Sequence, residues 1–150
     1  MAVLVTLVRF KKESKRQRQA DLVSTLTDIV KLIDNDRAVE SRGILRKNKI
    51  LNMPKDERDD NAMLIPQIDS ETEEAARYVA TTYDRLGFIL RHDKELEEEV
   101  LQWHGYVIVD MWMLTEDLIM KKWRQRSQAY LLEFEKLSKK AIDYEKNLHS

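Results

Sequence analysis

The chain has three histidines, His92, His104 and His149, and no cysteine, so metal or proton-transfer chemistry would have to start from these imidazoles and nearby carboxylates. No second histidine stands three or four residues from another, and no Glu-x-x-His occurs, so the familiar helical metal motifs are absent. His104, next to Gly105 beside a strongly apolar run, is the one imidazole to examine. A hinge or capping role suits it better than ligation. Asp110, Glu116 and Asp117 fall on or beside the same run. A buried carboxylate there would carry a raised pKa and could act as a general acid or base, but such groups more often reach solvent or meet an arginine. A metal-dependent or hydrolytic enzyme would rest on His104, Asp110 and these carboxylates. The residues themselves assign no catalytic, cofactor-binding or metal-ligating position, and no cofactor. With three glycines in all, a phosphate-cradling loop or a nucleophile elbow has little to be built from.

Two basic clusters could hold an anion. Lys121-Lys122-Trp123-Arg124-Gln125-Arg126 places a tryptophan among cations, as nucleic-acid and lipid patches do, yet helix ends collect cations to complement the negative end of the dipole. The denser cluster, Lys11, Lys12, Lys15, Arg16 and Arg18, follows an apolar run of Val3, Leu4, Val5, Leu7, Val8 and Phe10. As a helix, ten residues reach about 15 Å, half of a bilayer core of roughly 30 Å. The run is too short to cross a membrane alone, and a signal peptide would put its cations first. Residues 1–18 therefore read as a segment that meets a protein partner, a second copy, or an anionic membrane face on the cytoplasmic side. Nucleic acid is disfavoured, because 26 bases against 27 acids provide no global field for a polyanion.

The elements that must position these residues are helical. A chain of 150 residues suits one core, and scarce Gly and Pro argue against a turn-rich β domain. The absence of cysteine also removes disulfides and thiolate sites and is compatible with a reducing cytosol. From Ser14 to Ile33, apolar Leu22, Val23, Leu26, Ile29, Val30 and Ile33 recur at helical spacing. Arg37 to Lys49 predicts a shorter helix carrying Val39, Ile44 and Leu45. Both prolines, Pro54 and Pro66, lie in one long loop at 51–69. Ser70-Glu71-Thr72-Glu73 matches a capping box ahead of a helix to Leu90, with Ala75, Ala76, Val79, Tyr83 and Leu86 inward. Asp93 caps a segment carrying Leu96, Val100, Leu101 and Trp103, which either breaks or continues at His104-Gly105 into the most apolar helix, Val107 to Ile119. A last helix runs from Ser127 to Lys146. Tyr83, Trp112, Tyr130 and Phe134 are the expected core anchors. The architecture expected is a single all-α domain over 19–150, a compact bundle of about six mostly antiparallel helices with no sheet.

One resemblance adds to this. The helix Ala76-Arg77-Tyr78-Val79 to Tyr83-Asp84-Arg85-Leu86-Gly87, the Trp112 helix, Arg124 or Arg126, then Tyr130, Phe134-Glu135 and Leu137 together resemble a bacterial helical family, domain-of-unknown-function family 4760. The likeness covers Ala76 to Ala141, and Leu22 to Leu45 fits that family's preceding helical pair. It implies an all-α fold and no activity or catalytic residue. Members often carry a transmembrane helix ahead of the domain, whereas the apolar run here is too short to span. The function expected is a non-enzymatic helical interaction or scaffold domain, oligomeric or peripheral to the cytoplasmic membrane face. A metal-dependent or hydrolytic enzyme and a nucleic-acid-binding regulator stand as alternatives.

Overall fold

The computed structural model describes residues 2–48 and 68–150, and the segment expected to form the long loop lies outside them except for Ile68 and Asp69. Among the described residues the fold is all helical: α1 (Ala2–Ile33), α2 (Asp36–Lys47), α3 (Ser70–Leu90), α4 (Lys94–Lys121), a short 3-10 turn (Trp123–Gln125) and α5 (Leu132–Leu148), with no strand. α5 packs along both α3 and α4, and α2 lies on α3. The turn between α3 and α4 is only three residues long, so these two helices run back to back as neighbours.

Caps and charges mark where each helix starts. Asn35 Oδ1 accepts from the Ala38 amide at 2.9 Å to open α2, and Asp93 Oδ1 accepts from Leu96 at 3.1 Å to open α4. The start of α3 differs from the expected capping box. Asp69 is the cap, accepting from the Thr72 amide at 2.8 Å and its hydroxyl at 3.0 Å, and these bonds hold its carboxyl below the usual range. Ser70 is already helical. Glu73 is drawn to Lys122 and Trp123 across the bundle rather than back to its own helix start.

The helices also correct or refine the remaining expectations. α1 begins at Ala2, not near Ser14; its apolar residues packed on the core are Leu22, Leu26, Ile29, Leu32 and Ile33, while Val23 and Val30 face outward. In α2 the buried positions are Ala38, Ser41, Arg42 and Leu45, and Val39 is exposed. α4 is continuous through Gly105, the second of the two alternatives the sequence leaves open there. α5 starts at Leu132 rather than Ser127. Leu131 takes a left-handed conformation at φ 59°, and Arg124 binds the carbonyl oxygens of Tyr130 at 2.8 Å and Leu131 at 3.3 Å. That long-range clamp holds a conformation that costs a non-glycine residue roughly 1–2 kcal/mol.

The core lies between α3, α4 and α5, closed by the ends of α1 and α2. Phe134 stacks on Tyr83 with ring centroids 5.4 Å apart and meets Trp112 edge-on at 5.2 Å. Tyr130 is half-buried on the turn before α5, not on the helix as expected.

Candidate functional site

Among the described residues, one buried polar constellation with chemical potential joins α3, α4 and the α1–α2 corner. The Tyr83 hydroxyl lies 2.8 Å from His104 Nε2, with both residues buried and their rings stacked at 5.8 Å. Burial pushes the tyrosine up to about 12, so it is the donor. Burial first, and the Arg42 guanidinium second, hold His104 down to about 4, leaving a neutral imidazole that accepts through Nε2. Arg42 is buried as well, donating to the Ile33 carbonyl and pairing with Asp34 at 2.9 Å. It thereby satisfies the C-terminal end of α1 with a charge of the sign that end prefers.

His104 is therefore neither a hinge nor a cap. Among the described residues no group of three or more His, Cys, Asp or Glu could hold a metal ion. The structure does not bring His104 and Asp110 together. Six residues apart on α4 they point roughly 120° away from each other, and Asp110 pairs with Arg46 of α2 at 2.9 Å. Asp117 pairs with Lys121 at 3.7 Å, and Glu116 is half-buried on the same helix. His92 is exposed beside Arg91, and His149 is exposed at the end of α5.

The Lys121–Arg126 cluster is a joint between helices. Trp123 is buried, donates its indole N–H to Glu73 at 3.3 Å and sits under the Arg77 guanidinium, 4.6 Å from its ring centre. Lys122 reaches Glu73 at 2.9 Å, and this hydrogen bond is the main cause that holds the Glu73 carboxyl low. Arg124 pairs with Glu135 at 2.6 Å, while Lys139, the larger influence, and Arg124 keep that carboxyl low too. The indole is thus engaged within the fold and does not stand out as a stacking platform.

The N-terminal cluster behaves differently. Lys11, Lys12, Lys15, Arg16 and Arg18 are all exposed, and Arg18 pairs with Glu95 of α4 at 3.0 Å where α1 leaves the body. Beyond it the apolar turns stand in solvent, from Val5 at 52% exposed to Val3 at 74%. Among the described residues no helix is long and apolar enough to cross a membrane.

Sequence reasoning missed two features. The Tyr83–His104 pair joins residues 21 positions apart, and its only signal was that both fall on apolar faces of consecutive helices. Nor did that reasoning separate Trp103, 42% exposed on the outer side of α4, from Leu96, Val100 and Leu101, which are buried. No family model, curated protein or solved structure matches the chain, so the likeness to the helical family rests on the residues quoted for it above.

Proposed function

We propose that the chain is a non-enzymatic helical interaction module: a rigid body formed by α2 to α5 and the end of α1, carrying the first half of α1 as a projecting contact arm. One observation carries this. Val3, Leu4, Val5, Leu7, Val8 and Phe10 are all more than half exposed on a helix that continues without a break into the core. A soluble monomer's largest apolar patch is commonly about 300–600 Å² and often functional, and six adjacent apolar side chains form a patch of that order. The buried polar groups of the body, by contrast, are used up in holding helices to one another, as Tyr83 with His104 and Arg42 with Asp34 illustrate.

Removing residues 1–18 tests the reading. The melting temperature of the body should barely change, and any self-association or surface binding of the intact protein should disappear. Loss of the fold on removal would refute it. A second reading is favoured by the cations that directly follow the apolar turns: the arm adsorbs to an anionic membrane face. Each cation would add about 1 kcal/mol near such a surface, falling off with salt. Co-sedimentation with phosphatidylserine vesicles at low and high salt checks it, and the absence of retention at low salt refutes it.

A further inference from the structure

The outer side of α4 carries a second exposed apolar surface, along which Asp110 and Asp117 are paired with Arg46 and Lys121. Trp103, Tyr106, Asp110, Met113, Asp117 and Met120 follow one another at alternating three- and four-residue spacing, which keeps them on a single stripe. Trp103, Tyr106, Met113 and Met120 are each between 42% and 69% exposed. Aromatic residues and methionine are the types enriched at protein interfaces, and methionine adapts its shape to an irregular partner.

The helix that carries the stripe is acidic where the arm is basic, with Glu95, Glu97, Glu98 and Glu99 gathered in the turns before Trp103. Lys94–Lys121 contains seven acids against two lysines, net −5, and residues 2–18 contain six bases against one acid, net +5. The lengths also agree. Ala2 to Arg18 spans about 24 Å of helix and Trp103 to Met120 about 26 Å. Within one chain both surfaces are exposed, so neither covers the other.

We infer that the arm of one copy lies along the outer stripe of α4 in a second copy. This rests on, and deepens, the reading of the arm as the contact element. Val3 to Phe10 would cover Tyr106 and Met113 and exclude water from them. Arg18 stays with Glu95 of its own chain, and the cations from Lys11 to Arg16 would face the acids in the turns before Trp103 of the other, steering encounter and fixing orientation more than adding affinity. Two copies that exchange arms reciprocally satisfy both surfaces of each chain and close as a two-fold dimer.

Sedimentation of the intact protein should show a dimer. Removal of residues 1–18, or Tyr106→Glu together with Met113→Glu, should weaken association at least about ten-fold, the scale of losing an interface hot spot, while helix content and melting temperature stay unchanged. The cysteine-free sequence permits a direct check on which surfaces meet. A Leu7→Cys copy mixed with a Met113→Cys copy should give a mixed cross-link with a short bis-maleimide. A dimer that survives the α4 substitutions and cross-links only through Leu7→Cys overturns the inference in favour of arm-to-arm pairing. An intact protein that stays monomeric but is retained on phosphatidylserine vesicles through residues 1–18 overturns it too, yet leaves the arm as a contact element. If removing residues 1–18 unfolds the body, the functional reading falls with it.

Discussion

Acidification tests the packing around His104 with a magnitude the structure supplies. In the folded chain its imidazole is neutral and accepts from Tyr83, and burial holds it at about 4 against 6.5 for a free imidazole. Between those two values the unfolded chain binds a proton that the folded chain refuses. The stability that the neutral imidazole contributes is therefore complete above pH 6.5, is lost as pH falls through that window, and stops falling below about 4. At about 1.36 kcal/mol per pKa unit the whole loss comes to about 3 kcal/mol, a large share of a typical 5–15 kcal/mol. Asp69, Glu73 and Glu135, held low by their partners, also give up stability as acid protonates them, so wild type alone cannot isolate the histidine. His104→Gln provides the reference, since an amide oxygen can accept the same hydrogen bond and does not titrate. Urea denaturation followed by circular dichroism at pH 7 and pH 4.5 should cost wild type about 2–3 kcal/mol more than the variant over that interval. Equal losses would refute the buried neutral imidazole.

Two glycine substitutions should have opposite signs in thermal denaturation. An alanine at Gly43 meets nothing within 4 Å, so Gly43→Ala should gain about 0.5–1 kcal/mol from helix propensity. At Gly87 the new Cβ would lie 2.5 Å from the Glu133 carbonyl oxygen and 2.9 Å from its carbon. Because backbone cannot swing aside, Gly87→Ala should lose about 1–3 kcal/mol overall, and a gain there would refute the close approach of α3 and α5. Trp112→Ala, which removes the ring packed edge-on against Phe134, should cost about 3–5 kcal/mol, and an unchanged melting temperature would take Trp112 out of the core.

Periodicity made α3 readable, because its inward positions alternate with charge at helical spacing and the buried residues fall where that spacing puts them, and in α4 it placed most of the buried residues but not Trp103. It failed where the stripe vanishes. The first turns of α1 are apolar on nearly every side, which gives no helical period to count, and only the continuity of the chain into Leu22 and Leu26 makes them helical here. In α2 the apolar residues do not mark the inner face: Val39 is exposed, and the short side chains of Ala38 and Ser41 and the stem of Arg42 line it with Leu45. The start of α5 was hidden because its signal is Arg124, seven residues ahead, binding the carbonyl oxygen of a leucine in a left-handed turn where glycine or asparagine would be expected. Likewise the Tyr83–His104 pair depends on how two helices are turned toward each other, and no local spacing encodes that.

The arm also poses an energetic problem that its sequence makes worse. Val3, Val5 and Val8 are β-branched and hold a helix less well than leucine or alanine, and before residue 18 no burial against the body offsets this. A helix in water is sustained over such lengths chiefly by an apolar face with something to pack on. If a second surface covers the arm, its amide protons from Leu4 to Phe10 should exchange slowly at high protein concentration and quickly on dilution, while the amides of α3 and α4 remain protected at both. Hydrogen exchange read residue by residue across a hundred-fold dilution separates the cases. Arm amides that exchange at the unprotected rate at every concentration, with no vesicles present, would show that the free chain does not pair through this segment, and protection that persists on dilution would show that the body alone is enough to hold it.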